Sequence, residues 1–267
     1  MTRPIVFLTD YGLADEFVGV CHGVMARIAP GARVIDLAHH IHRQDVLHGA
    51  VTLARSVRYM PADAVYLAVV DPGVGSARRP VAIEASSGAL LVGPDNGVLS
   101  MAWGSLGGAV RAVLVTSERV VLRPTSKTFH GRDVFAPAAA HLAAGLPLAE
   151  LGPPLEPDAL EVVELPAPMV TPGAVGTRVT AVDGFGNVQL NATPAELEAA
   201  GLSDRIVIGD RTVPRVSTFT DVPRGAPAVI VDSQGFLALV VNHGTAAGLF
   251  GLVPGATVKL LRAPLRA

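Results

Sequence analysis

Through the first half of the chain, short unbroken apolar runs alternate with longer stretches whose apolar residues recur at three- and four-residue spacing. Residues 4–8 form the first apolar run, broken by Thr9-Asp10-Tyr11-Gly12. Residues 17–28 then place Val20, Val24 and Ile28 on one helical face, and Pro30-Gly31 ends it. The same reading gives a strand over 32–37, a helix over 46–59 and a strand over 64–70, stopped by Asp71-Pro72-Gly73. Residues 81–84 and 89–92 read as a hairpin pair closed by Pro94-Asp95-Asn96-Gly97, followed by a strand over 110–115 and a helix over 134–144. Alternation of this kind predicts an α/β domain on a mainly parallel sheet.

Near residue 165 the texture changes. A proline-rich stretch over 166–172 separates a first domain, 1–165, from a second, 173–267. Beyond it come short β-branched runs at 176–182, 188–190, 205–208, 229–231, 236–241 and 257–261. Only 194–200 has helical character, with Thr193 as its N-cap. Asp183-Gly184-Phe185-Gly186-Asn187 and Ser233-Gln234-Gly235 serve as hairpin turns, so the second domain is expected to be a smaller antiparallel, barrel-like β structure.

Composition narrows the classes. Half of the residues are hydrophobic and 16% are charged, which supports a packed core and excludes a disordered polymer. Aromatics supply 4%, so Val, Leu, Ile and Ala must fill the interior, as suits buried strands. A formal charge of −2 offers no basic footprint for nucleic acid and no cationic face for a membrane, so neither is an expected partner. The one cysteine, Cys21, permits no intrachain disulfide and reads as a small buried residue. No apolar run approaches the roughly 20 residues that span a bilayer, and a cytoplasmic location is expected.

In an open sheet, ligands gather beyond the carboxyl ends of the strands. Three polar clusters fall there: Asp10 with Asp15, Asp71, and Asp95-Asn96. A carboxylate on such an edge can accept two hydrogen bonds from a vicinal diol, although any one of these residues could equally serve only its turn. Arg78 places a fixed positive charge after Asp71, in a loop with glycines at 73 and 75 that fits neither phosphate-binding fingerprint. His130, flanked by Gly131, precedes a helical run. His39, His40, His42 and His48 look like a metal cluster, but neighbouring histidines project differently and no supporting motif accompanies them, so no metal site is expected. The absence of a G-x-S-x-G elbow disfavours serine hydrolase chemistry.

The ordered set F-L-T-D-Y-G (from Phe7) with Asp15, D-P-G-V-G-S-x-R (Asp71 to Arg78), G-P-D-N-G (from Gly93), F-H-G-R-D (from Phe129), D-x-F-G-N (Asp183 to Asn187) and S-x-G (from Ser233) resembles the SAM hydroxide adenosyltransferases. These are adenosine-forming hydrolases of S-adenosyl-L-methionine (SAM), relatives of fluorinases and chlorinases. The resemblance implies a homotrimer with active sites at subunit interfaces, SAM as substrate, adenosine and L-methionine as products, and no cofactor. It implies Asp71, Arg78 and His130 as the catalytic set and Asp10, with Asp15 nearby, at the ribose diol. Adenine and the methionine end are implied to meet Asp183, Phe185, Asn187, Ser233, Val241 and Asn242 of the adjacent subunit. The halogenating relatives carry a Tyr where this chain has Asp71, and the fluorinases a Ser where Gly131 stands. An anionic Asp71 repels a halide, so hydrolysis is the expected reaction. A non-catalytic adenosine- or SAM-binding protein is the reading from another class, and it would not need Asp71, Arg78 and His130 together.

Overall fold

The computed structural model describes residues 2–264 and is β-rich, with two compact units, Met1–Glu164 and Leu165–Ala267. In the first unit, β1 (Ile5–Thr9), β2 (Val34–Ala38), β3 (Val65–Val69), β4 (Pro80–Ala85), β5 (Leu90–Pro94), β6 (Ala109–Leu114) and β7 (Pro154–Leu155) form one sheet in the order β2-β1-β3-β5-β4-β6-β7. The helices are α1 (Phe17–Ile28), α2 (Val46–Ser56), α3 (Ser100–Ser105) and α4 (Ala136–Ala143).

The ladders joining β2, β1, β3 and β5 are parallel, whereas those joining β5, β4, β6 and β7 are antiparallel. The sheet is therefore mixed, where a mainly parallel one was expected. The β4–β5 pair, with four residues between its strands, is the hairpin that the sequence predicts, and β6 and β7 extend it with antiparallel ladders, so the parallel part stops at β5. Strands β1, β3 and β5 are buried throughout, so their side chains supply two cores in alternation. Phe7 and Leu67 join Val18, Met25, Phe135 and Leu142 on one face. Val6, Leu8, Tyr66 and Leu91 join Leu53, Leu99 and Ala102 on the other. At roughly 25 cal/mol per Å² of apolar area removed from water, these aliphatic layers dominate the stability of the unit.

The second unit contains β8 (Met169–Thr171), β9 (Ala174–Val182), β10 (Val188–Leu190), β11 (Arg205–Ile208), β12 (Arg211–Pro214), β13 (Pro227–Val231), β14 (Leu237–Val241) and β15 (Thr257–Arg262). Its order is β12-β11-β15-β9-β10-β14-β13, all antiparallel, with β8 on β9. A bridge between Arg215 and Val229 brings the two ends together, giving the nearly closed barrel that the turn spacing predicts. Two short helices, α5 (Pro194–Ala199) and α6 (Ala246–Phe250), complete it. Thr193 caps α5 in a reciprocal box with Glu196, as its sequence position predicts.

Candidate active site

Because β2, β1, β3 and β5 run the same way, the residues just past their ends share one edge of the first unit. Asp10, Asp71 and Asp95 stand there in that order. The structure gives them different work.

Asp71 is gripped by Arg78. The arginine Nε donates to Asp71 Oδ1 at 3.0 Å, and Nη2 donates to Oδ2 in a two-point ion pair. The same Nη2 reaches His130 Nδ1 at 3.1 Å. Both charged side chains are more than nine-tenths buried, and Arg78 Nη1 is buried without an acceptor among the described residues. A buried guanidinium donor left unpaired is costly, and an oxygen placed beside it would satisfy it. Burial, and then the neighbouring Arg78 charge, lower the pKa of His130 below the ordinary imidazole value, so the ring is neutral near pH 7. A guanidinium can only donate, so Nδ1 is the accepting nitrogen and the ring proton lies on Nε2.

The loop that carries Arg78 is held at both ends by the third cluster. Asn96 Nδ2 donates to Val70 O at 2.9 Å, just before Asp71. Asp95 pairs with Arg79, whose Nε donates at 2.7 Å, and also accepts from Glu161 N at 2.8 Å. Asp95 and Asn96 are thus turn and brace residues with their hydrogen-bonding groups committed, and they do not line the pocket. His130 enters from the other side, immediately before a π-turn over Gly131–Phe135 that leads into α4. Such turns re-aim side chains and recur at functional sites.

A pocket opens beside this chain, lined by Asp10, Tyr11, Phe17, Asp71, Phe129 and His130, with Val69, Val74, Thr128 and Gly131. Tyr11, Phe17 and Phe129 pack edge to face as one wall, with centroids 5.1–6.0 Å apart. Asp10 Oδ2 accepts from Gln44 N at 2.8 Å, and Gln44 holds a left-handed backbone (φ 64°). Asp15 is exposed and does not line the pocket. Tyr11, Phe17, Val74 and Gln44 are not among the residues that the sequence assigns to the site; Tyr11 and Val74 are signalled only by standing inside the Phe7–Gly12 and Asp71–Arg78 motifs.

In the second unit, Asp183 organises its own turn, accepting from Phe185 N at 2.9 Å, Asn187 N at 3.0 Å and Asn187 Nδ2 at 2.8 Å. This leaves Phe185 81% exposed. The register of β10 on β14 puts Val241 and Asn242 at that same end of the barrel. Val241 is buried, and Asn242 Nδ2 donates to Val222 O at 2.7 Å. Ser233 precedes β14 and so lies at its opposite end, away from the Asp183 turn.

The candidate histidines separate. His42 and His48 pack on each other at 5.2 Å, while His39 Nε2 and His22 Nε2 both reach Asp36 Oδ1, at 2.9 and 2.8 Å. Among the described residues, His22, Asp36 and His39 are the one such group close enough to share a cation. Two imidazole N–H donors on one carboxylate oxygen already account for that geometry. Cys21 is buried, and its thiol pKa is pushed up to about 12, first by burial.

A carboxylate, a guanidinium and an imidazole joined over an aromatic pocket at a sheet edge define an enzyme. The chain belongs to the SAM hydroxide adenosyltransferase family, whose N-terminal domain matches residues 5–152 and whose C-terminal domain matches 177–259. It is 52% identical to an (R)-S-adenosyl-L-methionine hydrolase of Salinispora arenicola, over 97% of this chain and 98% of that protein. It is 44% identical to one of Thermus thermophilus, over 97% and 100%. A fluorinase of Actinoplanes sp. is 31% identical over 98% of each chain. In three dimensions it matches the crystal structure of an uncharacterized conserved protein from Thermotoga maritima. That match has a TM-score of 0.88 and 35% identity over 97% of this chain and 100% of the other.

Proposed function

We propose that the protein hydrolyses S-adenosyl-L-methionine to adenosine and L-methionine, by in-line attack of water on the ribose 5′-carbon. The observation that carries this reading is the buried chain Asp71–Arg78–His130 with one guanidinium nitrogen to spare, lining and backing a pocket of aromatic faces and carboxylates. Such a pocket favours a cation, and the sulfonium of SAM is one.

In this reading Asp10 takes the ribose diol. Water attacks C5′, the C5′–S bond breaks with its electron pair going to sulfur, and one proton leaves the oxygen. Full deprotonation of water at pH 7 would cost about 12 kcal/mol, so the oxygen must be polarised and its proton lost as the new bond forms. Arg78 Nη1 is the group assigned to the oxygen. His130, with its proton on Nε2 and Nδ1 engaged by Arg78, is a donor rather than a base, which leaves Asp71 as proton acceptor. The sulfide is a neutral leaving group and needs no acid.

We further propose a cytoplasmic homotrimer with active sites at subunit interfaces, acting without metal or cofactor. Asp183, Phe185, Asn187, Val241 and Asn242, which share one end of the barrel, would supply the second-unit side of the SAM site; Ser233, at the other end of β14, falls outside that group. Among the described residues no helix is long and apolar enough to cross a membrane.

The test is purified protein with SAM in halide-free buffer and again with chloride or fluoride, with products separated by chromatography and mass measured by light scattering. Adenosine plus methionine, unchanged by halide, is expected from a trimer. A 5′-halo-nucleoside would instead favour the fluorinase-like reading, and adenosine binding without turnover the binding-protein one.

A further inference from the structure

Tyr11 is held more firmly than a pocket wall requires. Its backbone N–H donates to Thr9 Oγ1 at 3.2 Å, and the next amide, of Gly12, donates to His39 O at 2.6 Å. Thr9 Oγ1 in turn meets His39 Nδ1 at 2.9 Å, and His39 is tied to Asp36. The ring is clamped edge to face by Phe17 and Phe129, at 6.0 and 5.8 Å. Neither the backbone nor the ring has another place to go.

The hydroxyl ends against the backbone of Gly131. A β-carbon built on Gly131 would stand well inside the 3.0 Å limit from Tyr11 Oη, and 3.1 Å from Cζ. A residue with any side chain at 131 is incompatible with Tyr11 in this rotamer. Residue 131 follows His130, and Tyr11 follows Asp10, so the phenol tip lies between the two sides of the pocket. Tyr11 Oη makes no hydrogen bond to the described residues and is not sealed from the pocket. Burial, then the neighbouring acidic groups of Cys21, Asp10 and Asp71, hold the phenol pKa well above its usual value. It is therefore a neutral group that can both donate and accept.

An attacking water has two hydrogens and two lone pairs. In the reaction proposed above, one lone pair forms the bond to C5′, the other faces Arg78, and one hydrogen leaves for Asp71. The second hydrogen, which stays on the product as the 5′-hydroxyl, has no partner in that set. His130 cannot take it, since its free ring nitrogen carries the proton.

We propose that Tyr11 Oη, seated in the notch left by Gly131, accepts this second hydrogen and fixes the water for in-line attack. This makes Tyr11 a catalytic residue that neither loses nor gains a proton. The proposal rests on the hydrolase reading.

The test uses the full chain as wild type, Tyr11→Phe, Gly131→Ala and the double variant, with kcat, KM for SAM, adenosine affinity and melting temperature for each. Tyr11→Phe keeps the ring wall and is expected to lower kcat about tenfold or more, with KM and adenosine affinity within about twofold and melting temperature unchanged. Gly131→Ala is expected to lower both kcat and melting temperature. In the double variant the clash with Oη is gone, leaving approaches of 3.1 Å to Cζ and 3.3 Å to Phe129 Cε2. Its melting temperature should recover while kcat stays at the Tyr11→Phe level. Tyr11→Phe with wild-type kcat, or a double variant no more stable than Gly131→Ala, would overturn the proposal and leave the hydrolase reading intact. A wild type that forms no adenosine from SAM would overturn both.

Discussion

Gly75 and Lys127 touch backbone to backbone: a β-carbon on Gly75 would fall well under 3.0 Å from the Lys127 carbonyl oxygen, and Gly75 has a φ of +77°. Only glycine suits both the conformation and the space. The contact presses the loop holding Asp71 and Arg78 against the segment that leads to His130. Gly75→Ala is expected to cost on the order of 2 kcal/mol of stability. It should also lower kcat by more than tenfold, as read from urea unfolding and from turnover of SAM. Normal kcat in a folded variant would show that this contact is not what brings Arg78 to His130.

Arg78 makes three directed hydrogen bonds, to both Asp71 oxygens and to His130. A lysine keeps the charge but not the planar fork. Arg78→Lys is therefore expected to lower kcat by on the order of a hundredfold or more while adenosine still binds. Loss of adenosine binding together with turnover, measured by calorimetry, would mark Arg78 as a structural arginine only.

Asp10 and Asp95 stand at equivalent strand ends, and their variants should fail differently. Asp10→Ala is expected to weaken adenosine binding about tenfold or more, with little change in melting temperature. Asp95→Ala removes the partner of Arg79 Nε and of Glu161 N, though Arg79 Nη2 keeps Ala159 O, and is expected to cost on the order of 2 kcal/mol of stability with adenosine affinity retained. Unchanged affinity in Asp10→Ala would remove the diol assignment.

Acid should destabilise the fold in two stages. Burial first, joined at His130 by the Arg78 charge and at His48 by His42 and Arg55, lowers the pKa of His48, His130 and His141. Below about pH 6.5 the unfolded chain therefore takes up protons that the native state refuses. Asp133 is pushed up by burial but more than offset by its bonds to Arg132 and Ser126 N, and Glu196 is lowered by Thr193. Both lie below their ordinary values, so a second loss follows as pH falls through about 4. In both windows the unfolded state binds more protons, and stability rises with pH. Urea midpoints at pH 8, 6, 5 and 4 should fall in that order; a flat profile from 7 to 5 would contradict the buried-histidine account.

The sequence was most legible where one short-range rule governs. The apolar runs of β1, β3 and β5, the Thr193 cap and the turn at Asp183 follow from residue type and spacing alone. Strand direction was legible only at β4–β5, which reads as a hairpin; that β6 adds to β4 and β7 to β6, all antiparallel, is a tertiary pairing that the hydrophobic pattern does not encode. At the site, the motifs name Asp71, Arg78 and His130, which hydrogen bonds join in the fold. Asp95 and Asn96 looked equivalent to Asp10, and only the partners Arg79, Glu161 and Val70 separate a brace from a carboxylate that lines the pocket. Tyr11 and Gly131 belong to motifs far apart in the chain, and their fit is a matter of tertiary distance.

The jump from β3 to β4 passes over β5, which lies between them in the sheet although it follows both in the chain. Asp71 ends one side of that gap and Arg78 the other. Asp71 and Arg78, seven residues apart, can pair locally, but Arg78 meets His130 across 52 residues, a non-local contact in the sense of contact order. Recovery of catalysis during refolding is therefore a clock for that long-range contact, running behind any signal that reports helices or hairpins.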